Sequence, residues 1–123
     1  MKYSPVNLSY LVTLCDGDEA FMQEIILSFV EDMPITLAAI QQKAKQQEWK
    51  CVGELAHKIK PSMQFVGMLS TQEKVKTIEQ FCKKDIYLEE IPTLLAAVVL
   101  EIEEAVIVLQ EKLAADVVLR DAV

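Results

Sequence analysis

Apolar residues recur every three or four positions along most of the chain, the spacing that places them on one face of an α-helix. From Asp18 onward this spacing predicts one long amphipathic helix, and the stripe keeps its phase on both sides of Pro34. We therefore interpret the segment as a single helix with a proline kink. Its apolar positions are Met22, Ile25, Phe29, Met33, Leu37, Ile40 and Ala44.

A second stripe predicts a helix over about residues 49 to 67. Its apolar face is formed by Val52, Leu55, Ala56, Ile59, Met63 and Val66. The opposite face carries Lys50, Gly53, His57, Lys60, Pro61 and Gln64. The only histidine of the chain is therefore expected to face solvent.

Two more long helices follow the second stripe. Ser70 and Glu73 have the spacing of a capping box, which predicts a helix start at this point. The buried stripe of that helix is expected to contain Thr71, Val75, Ile78 and Cys82. A last helix has Pro92 in its first turn and an unbroken stripe. The stripe consists of Leu88, Ile91, Leu95, Val98, Ile102, Ala105 and Leu109.

The arrangement of these helices follows from the need to bury each apolar stripe. Four long helices with short connections can bury their stripes only against one another, which predicts an all-α, antiparallel up-down four-helix bundle. Asn7 is expected to cap a short additional N-terminal helix that ends near Gly17. The length of 123 residues fits a single domain covering residues 1–123.

The net charge, the longest apolar run and the cysteine count argue against several classes of function. The net charge of −7 argues against a nucleic-acid partner, because phosphate backbones require a basic face. The longest apolar run, Leu94 to Leu100, is too short for membrane insertion. Cys15, Cys51 and Cys82 are widely spaced and odd in number, which favours a reducing, cytoplasmic location over a disulfide or zinc framework.

His57 is the strongest candidate for chemistry. A neutral, exposed imidazole keeps a ring nitrogen able to attack phosphorus. Lys60 lies one turn away, and at roughly 6 Å it would attract an attached phosphoryl group by about 1 to 3 kcal/mol. Glu54 is the only carboxylate expected nearby, so no metal site is predicted. Gly53 is expected to provide a flat surface, and Gly53→Gln to leave stability equal or higher.

The segment Ala56-His57-Lys58-Ile59-Lys60, with Ser62 and with Gly67 ten residues after the histidine, resembles the histidine-containing phosphotransfer (HPt) domain. The all-helical frame of most of the chain is similar to the same family. The resemblance implies a phosphocarrier of two-component signalling that exchanges a phosphoryl group with an aspartate of a response-regulator receiver domain. A hybrid sensor histidine kinase is the other implied partner.

The resemblance also implies roles for single residues. His57 is the phosphorylated residue and Lys60 the nearby cation that stabilises the phosphoryl group. The surface expected to dock the receiver consists of Gly53, Lys58, Pro61, Gln64, Gly67 and Met68. Pro61 departs from the glycine that many members have, and it removes the hydrogen bond to the carbonyl of His57.

Two further points separate the possible functions. No phosphate-binding loop is present, so the chain is not expected to be an enzyme that phosphorylates itself. It is expected to need no cofactor, because the metal for transfer would come from the partner receiver domain. A helical adaptor that binds a signalling partner without carrying phosphate remains an alternative. A hydrolase or metal enzyme has little support from a single histidine.

Overall fold

The computed structural model describes the backbone of residues 4–121 and the side chains of residues 4–116. Within this part of the chain the secondary structure is entirely helical, and no described helix is long and apolar enough to cross a membrane. The elements are α1 (Ser9–Leu14), α2 (Glu19–Lys45), α3 (Trp49–Phe65), α4 (Leu69–Lys84), a 3₁₀ turn (Leu88–Glu90) and α5 (Ile91–Asp121).

The four long helices form the predicted antiparallel bundle. Helix α3 packs against α2 and α4, and α5 packs against α4 and α2, so the four helices surround one core. The predicted stripes supply most of that core. Ile26 is fully buried where Ile25 was expected, and five predicted positions are only half-buried: Ile25, Ala44, Leu55, Cys82 and Leu88. The all-α fold class is therefore confirmed.

Helix α1 is the short additional helix. The prediction that Asn7 is its N-cap is wrong by one residue, because the N-cap is Leu8, which forms no side-chain capping hydrogen bond. The side chain of Asn7 instead accepts a hydrogen bond from the backbone N–H of Ser9 at 3.0 Å, in the turn that leads into the helix. Leu11 is fully buried, and the ring of Tyr10 stacks on Phe65 of α3 with centroids 6.4 Å apart. These contacts hold α1 against the C-terminal end of α3.

Helix α2 begins and continues as the sequence predicts. Asp18 is its N-cap, and the Asp18 carboxylate accepts a hydrogen bond from the backbone N–H of Phe21 at 3.1 Å. The helix continues through Pro34 to Lys45 as one element. Side-chain packing on both sides of Pro34 compensates for the backbone hydrogen bond that the proline lacks.

The connection between α3 and α4 is a tight turn. Gly67 has a φ of +72°, and its N–H donates to the carbonyl of Gln64, while the N–H of Met68 donates to the carbonyl of Met63. This pair of bonds is a Schellman motif, in which the residue after the glycine packs its apolar side chain onto the last helical turn. Both Met63 and Met68 are buried accordingly.

The predicted capping box at the start of α4 is wrong. Helix α4 begins at Leu69, and its N-cap residue Met68 has no side chain that can accept a backbone hydrogen bond. Because the chain re-enters a helix directly after Gly67, Ser70 already lies inside the first turn. Its hydroxyl accepts a hydrogen bond from Lys74 instead.

The buried face of α4 contains one polar contact to α5. Thr71 is only 4% exposed, and its hydroxyl donates to the Glu101 carboxylate at 2.7 Å. Lys74 forms an ion pair with the same carboxylate at 2.9 Å. The polar side chain in the predicted stripe is therefore satisfied by a partner on the neighbouring helix.

Candidate functional site

His57 projects from the middle of α3 toward the groove between α3 and α4. Its side chain is 71% exposed, as the sequence predicts. The ring nitrogen Nδ1 is hydrogen-bonded to the carboxylate oxygen Oε2 of Glu79, which lies on α4. The imidazole is thus exposed to solvent and at the same time held by a group from the neighbouring helix.

Glu79 connects His57 to the lysine one turn further along α3. Its second oxygen, Oε1, accepts a hydrogen bond from Nζ of Lys60 at 2.7 Å. The Glu79 side chain is 17% exposed and that of Lys60 28%, so both charges are partly shielded from water. The three side chains form one cluster, which we call the His57 cluster.

The protonation of Glu79 follows from two opposing influences. Partial burial raises the pKa of the Glu79 carboxyl, but the hydrogen bonds and positive charges of Lys60 and His57 outweigh burial and lower that pKa below its ordinary value. Glu79 is therefore a carboxylate at neutral pH, and an acceptor for an N–H on Nδ1.

This hydrogen bond selects the tautomer of the neutral ring. A carboxylate accepts a proton donor, so neutral His57 carries its proton on Nδ1 and keeps the lone pair on Nε2. Nε2 is then the nitrogen available to react with a group arriving from solvent. The arrangement is that of a nucleophile or proton acceptor oriented by a neighbouring carboxylate.

A groove of about 570 Å³ lies beside the His57 cluster. Its lining residues are Lys50, Gly53, Glu54, His57, Glu79, Cys82 and Lys83. Burial raises the pKa of the Cys82 thiol to about 11, so this sulfur stays protonated and weakly nucleophilic at neutral pH. Of the thiol and the imidazole in this groove, the imidazole of His57 is therefore the available nucleophile.

Gly53 has a packing role that the sequence analysis missed. A Cβ at Gly53 would lie 2.9 Å from Cβ of Cys82 on α4. Because a Cβ is attached directly to the backbone, the two helices would have to move apart to accommodate a side chain. Gly53 therefore permits the close approach of α3 and α4 that brings Glu79 to His57.

We expect Gly53→Ala to destabilise the fold, contrary to the sequence-based expectation of equal or higher stability. Overpacking costs about 1 to 3 kcal/mol, which exceeds the gain of about 0.5 to 1 kcal/mol from replacing a helical glycine by alanine. Urea unfolding of Gly53→Ala, Cys82→Gly and the double variant forms a double-mutant cycle. A coupling energy near zero between positions 53 and 82 would contradict this role.

The residues predicted to form the docking surface do not all lie together. Lys58, Pro61 and Gln64 are exposed on α3 near His57, and α3 continues through Pro61 to Phe65. Lys58 leans toward α2, where it lines a second groove of about 500 Å³ with Phe21 and other residues. These three positions are available to a partner.

Two of the predicted docking residues are not available in the same way. The prediction for Met68 is wrong, because its side chain is 3% exposed and packs into the core as part of the Schellman motif. At Gly67, a Cβ would lie 2.1 Å from the carbonyl oxygen of Asn7. The N-terminal segment thus covers this face of Gly67, and the geometry supports a turn role for the glycine rather than docking.

Glu79 is the functional residue that the sequence analysis missed, since Glu54 was expected to be the only nearby carboxylate. A signal for it does exist in the chain. Positions 57 and 79 lie at similar distances on either side of the turn at Gly67, so an antiparallel hairpin places them opposite each other. No group of three or more metal-ligating side chains occurs among the described residues.

The comparisons with known proteins agree with this arrangement. The family model of the Hpt domain matches residues 24–115, which is most of the chain. A solved structure, the HPT domain of an Hpt sensor hybrid histidine kinase from Shewanella, superposes with a TM-score of 0.80. That alignment has 17% sequence identity and covers 90% of this chain and 95% of the other, so it shows a shared fold.

No curated protein matches the chain significantly. The family match includes α3 with His57, α4 with Glu79 and nearly all of the described bundle. A helical bundle that presents one oriented, solvent-facing histidine is what a phosphotransfer module of two-component signalling requires. By its sequence, and in keeping with its fold, the chain belongs to the Hpt domain family.

Proposed function

We propose that the protein relays a phosphoryl group between His57 and the aspartate of a response-regulator receiver domain in a two-component phosphorelay. The observation that carries this proposal is the orientation of His57. Its Nδ1 is bound to Glu79 and its side chain is largely exposed, which leaves the other ring nitrogen, Nε2, for a group arriving from solvent. Membership of the Hpt family supports a phosphotransfer module, and the reacting nitrogen follows from the tautomer.

The transfer step is a displacement at phosphorus. The lone pair of Nε2 forms an N–P bond while the P–O bond of the aspartyl phosphate breaks, and that electron pair leaves with the aspartate carboxylate. The ring becomes positive as the N–P bond forms, with its proton still on Nδ1. The Glu79 carboxylate balances this charge, and the same steps in reverse return the phosphoryl group to an aspartate.

Lys60 and the partner supply the remaining electrostatics. The equatorial oxygens of the phosphoryl group carry negative charge, which a metal held by carboxylates usually neutralises. One carboxylate oxygen of Glu79 already binds His57 and the other binds Lys60, so this carboxylate is not free to hold a metal. We therefore assign the metal site, and the catalysis that depends on it, to the receiver or kinase, and the protein acts as a phosphocarrier without a cofactor of its own.

The partners and location belong to the same proposal. A receiver domain, or a hybrid sensor histidine kinase that contains one, would donate or accept the phosphoryl group. Such an exchange takes place in the cytoplasm, where the three cysteines would stay reduced as free thiols.

Incubation with a receiver domain labelled by acetyl phosphate and Mg²⁺ tests the function. We expect the label to move to this protein as a phosphoramidate, which is labile in acid and stable in base. Binding of receivers without any transfer of label would instead favour the adaptor function. Absence of both binding and transfer with all receivers from the same genome would contradict the proposal.

We expect Lys60→Ala to slow the phosphorylation of His57 by at least about fivefold. The attraction between this lysine and the phosphoryl group is about 1 to 3 kcal/mol, and the ammonium also holds Glu79 in place. The initial rate of labelling by phosphoramidate measures the effect. Lys58→Ala is the matched control, because Lys58 is exposed but lines the groove toward α2 and not the groove that contains His57 and Glu79. Equal rates in the two variants would remove Lys60 from the mechanism.

A further inference from the structure

Charge is distributed unevenly between the two halves of the bundle. Helices α3 and α4 together contain seven lysines and three glutamates, a net charge of +4. Helix α2 and residues 91–116 of α5 contain nine acidic residues and three lysines, a net charge of −6. In a chain with a net charge of −7, His57 therefore lies on a hairpin of the opposite sign.

Three lysines of this hairpin surround the His57 cluster and point into solvent. Lys50 and Lys83 line the groove that contains His57. Lys76 lies one turn before Glu79 on the same face of α4, and all three lysines are exposed. Within the described part of the chain none of them forms an ion pair, unlike Lys60 and Lys74. Their charge is therefore available to an arriving molecule.

The chemistry of the transfer defines the partner that fits this surface. A phosphorylated aspartate with the carboxylates that hold its metal presents more negative than positive charge, even after one divalent ion is counted. Such a face is attracted by the hairpin and repelled by the α2 and α5 side of the bundle. Complementary fields of this kind raise association rates and orient the encounter.

We infer that Lys50, Lys76 and Lys83 steer the acidic active-site face of a receiver domain onto the α3–α4 hairpin, so that productive encounters outnumber those on the rest of the surface. This inference rests on the proposed function of His57. It assigns the three lysines to the encounter and leaves the bond-making step to the His57 cluster. Their contribution is sensitive to salt, because the Debye length is about 8 Å at physiological ionic strength.

A charge-matched pair of variants tests the inference. The first is Lys50→Gln/Lys76→Gln/Lys83→Gln, which lowers the net charge by three on the hairpin. The second is Gln41→Glu/Gln42→Glu/Gln110→Glu, which lowers it by three at exposed positions of α2 and α5. For each protein, the second-order rate of transfer from an acetyl-phosphate-labelled receiver is divided by its labelling rate with phosphoramidate. The measurement is repeated from low to high salt.

At about 20 mM salt, where screening is weak, we expect this ratio to fall about tenfold in the hairpin variant and less than about twofold in the other. The difference should disappear near about 0.5 M salt. Equal losses in both variants, or no loss in the hairpin variant, would overturn the inference while leaving the relay intact. If phosphoramidate labels His57 but no receiver does, the relay itself fails and the inference fails with it.

Discussion

His57→Gln should abolish phosphorylation of this protein by a labelled receiver and by phosphoramidate alike. Glutamine cannot form the N–P bond, and Cys82, the other nucleophile of the groove, stays protonated because burial raises the pKa of its thiol to about 11. Labelling should therefore fall to the background of the assay, a loss of at least about a hundredfold. Autoradiography measures this loss, with one half of each sample treated with base, which preserves the phosphohistidine label, and the other half with acid, which removes it.

The substitution should leave the fold intact, which separates loss of chemistry from loss of structure. The His57 side chain is 71% exposed, and Lys60 still binds Glu79 when the imidazole is absent. We expect the melting temperature of His57→Gln to stay close to that of the wild type. Label that persists at the wild-type level in this variant would place the phosphorylated residue elsewhere.

Much of the fold was predictable because burial imposes a period on the sequence. Every long helix shows apolar residues three or four positions apart, and such stripes can be buried only against one another. The stripe on α5 is an example, since six of its seven predicted members are buried. The seventh, Leu88, lies in the 3₁₀ turn before the helix and is half-buried.

Errors arose where a helix ends, because exposure there depends on the turn rather than on the period. Met68 follows the glycine of the turn after α3, where the Schellman motif bonds the N–H of Met68 to the carbonyl of Met63, and the Met68 side chain is buried in the core. A glycine after an apolar stripe, followed by an apolar residue, is the sequence signal for this closure. Applied to the chain, that signal would have placed Met68 in the core and the start of α4 before Ser70.

Only the part of the site that lies on a single helix could be predicted from the sequence. His57 and Lys60 lie on one helix, so their spacing alone brings them together. Glu79 and Gly53 act across the contact between α3 and α4, and no property of a single helix reveals which residues meet there. The distance between the two backbones at Gly53 and Cys82 determines which residues of α3 and α4 meet. That distance depends on the packing of both helices.

Because Glu79 orients the ring, its substitution should have the largest effect after that of His57. We expect Glu79→Ala to lower the labelling rate about tenfold to hundredfold, the range found when the group that orients a metal-binding histidine is removed. Without the carboxylate, the proton of neutral His57 is shared between both ring nitrogens, and Nε2 loses part of its lone-pair population. Lys60 also loses the carboxylate to which it is hydrogen-bonded. No negative charge of Glu79 then balances the ring of His57 as it becomes positive.

Glu79→Gln separates orientation from charge. The amide oxygen still accepts a hydrogen bond from Nδ1 and preserves the tautomer, but it no longer balances the positive ring. Its labelling rate should therefore lie between those of the wild type and Glu79→Ala.

Nitrogen NMR of the His57 imidazole gives a readout of the tautomer that loss of packing alone would not change. The wild type and Glu79→Gln should show the proton mainly on Nδ1, and Glu79→Ala a mixture. Unchanged nitrogen shifts in Glu79→Ala, together with an unchanged labelling rate, would reduce the contact between His57 and Glu79 to a surface hydrogen bond without a part in the transfer.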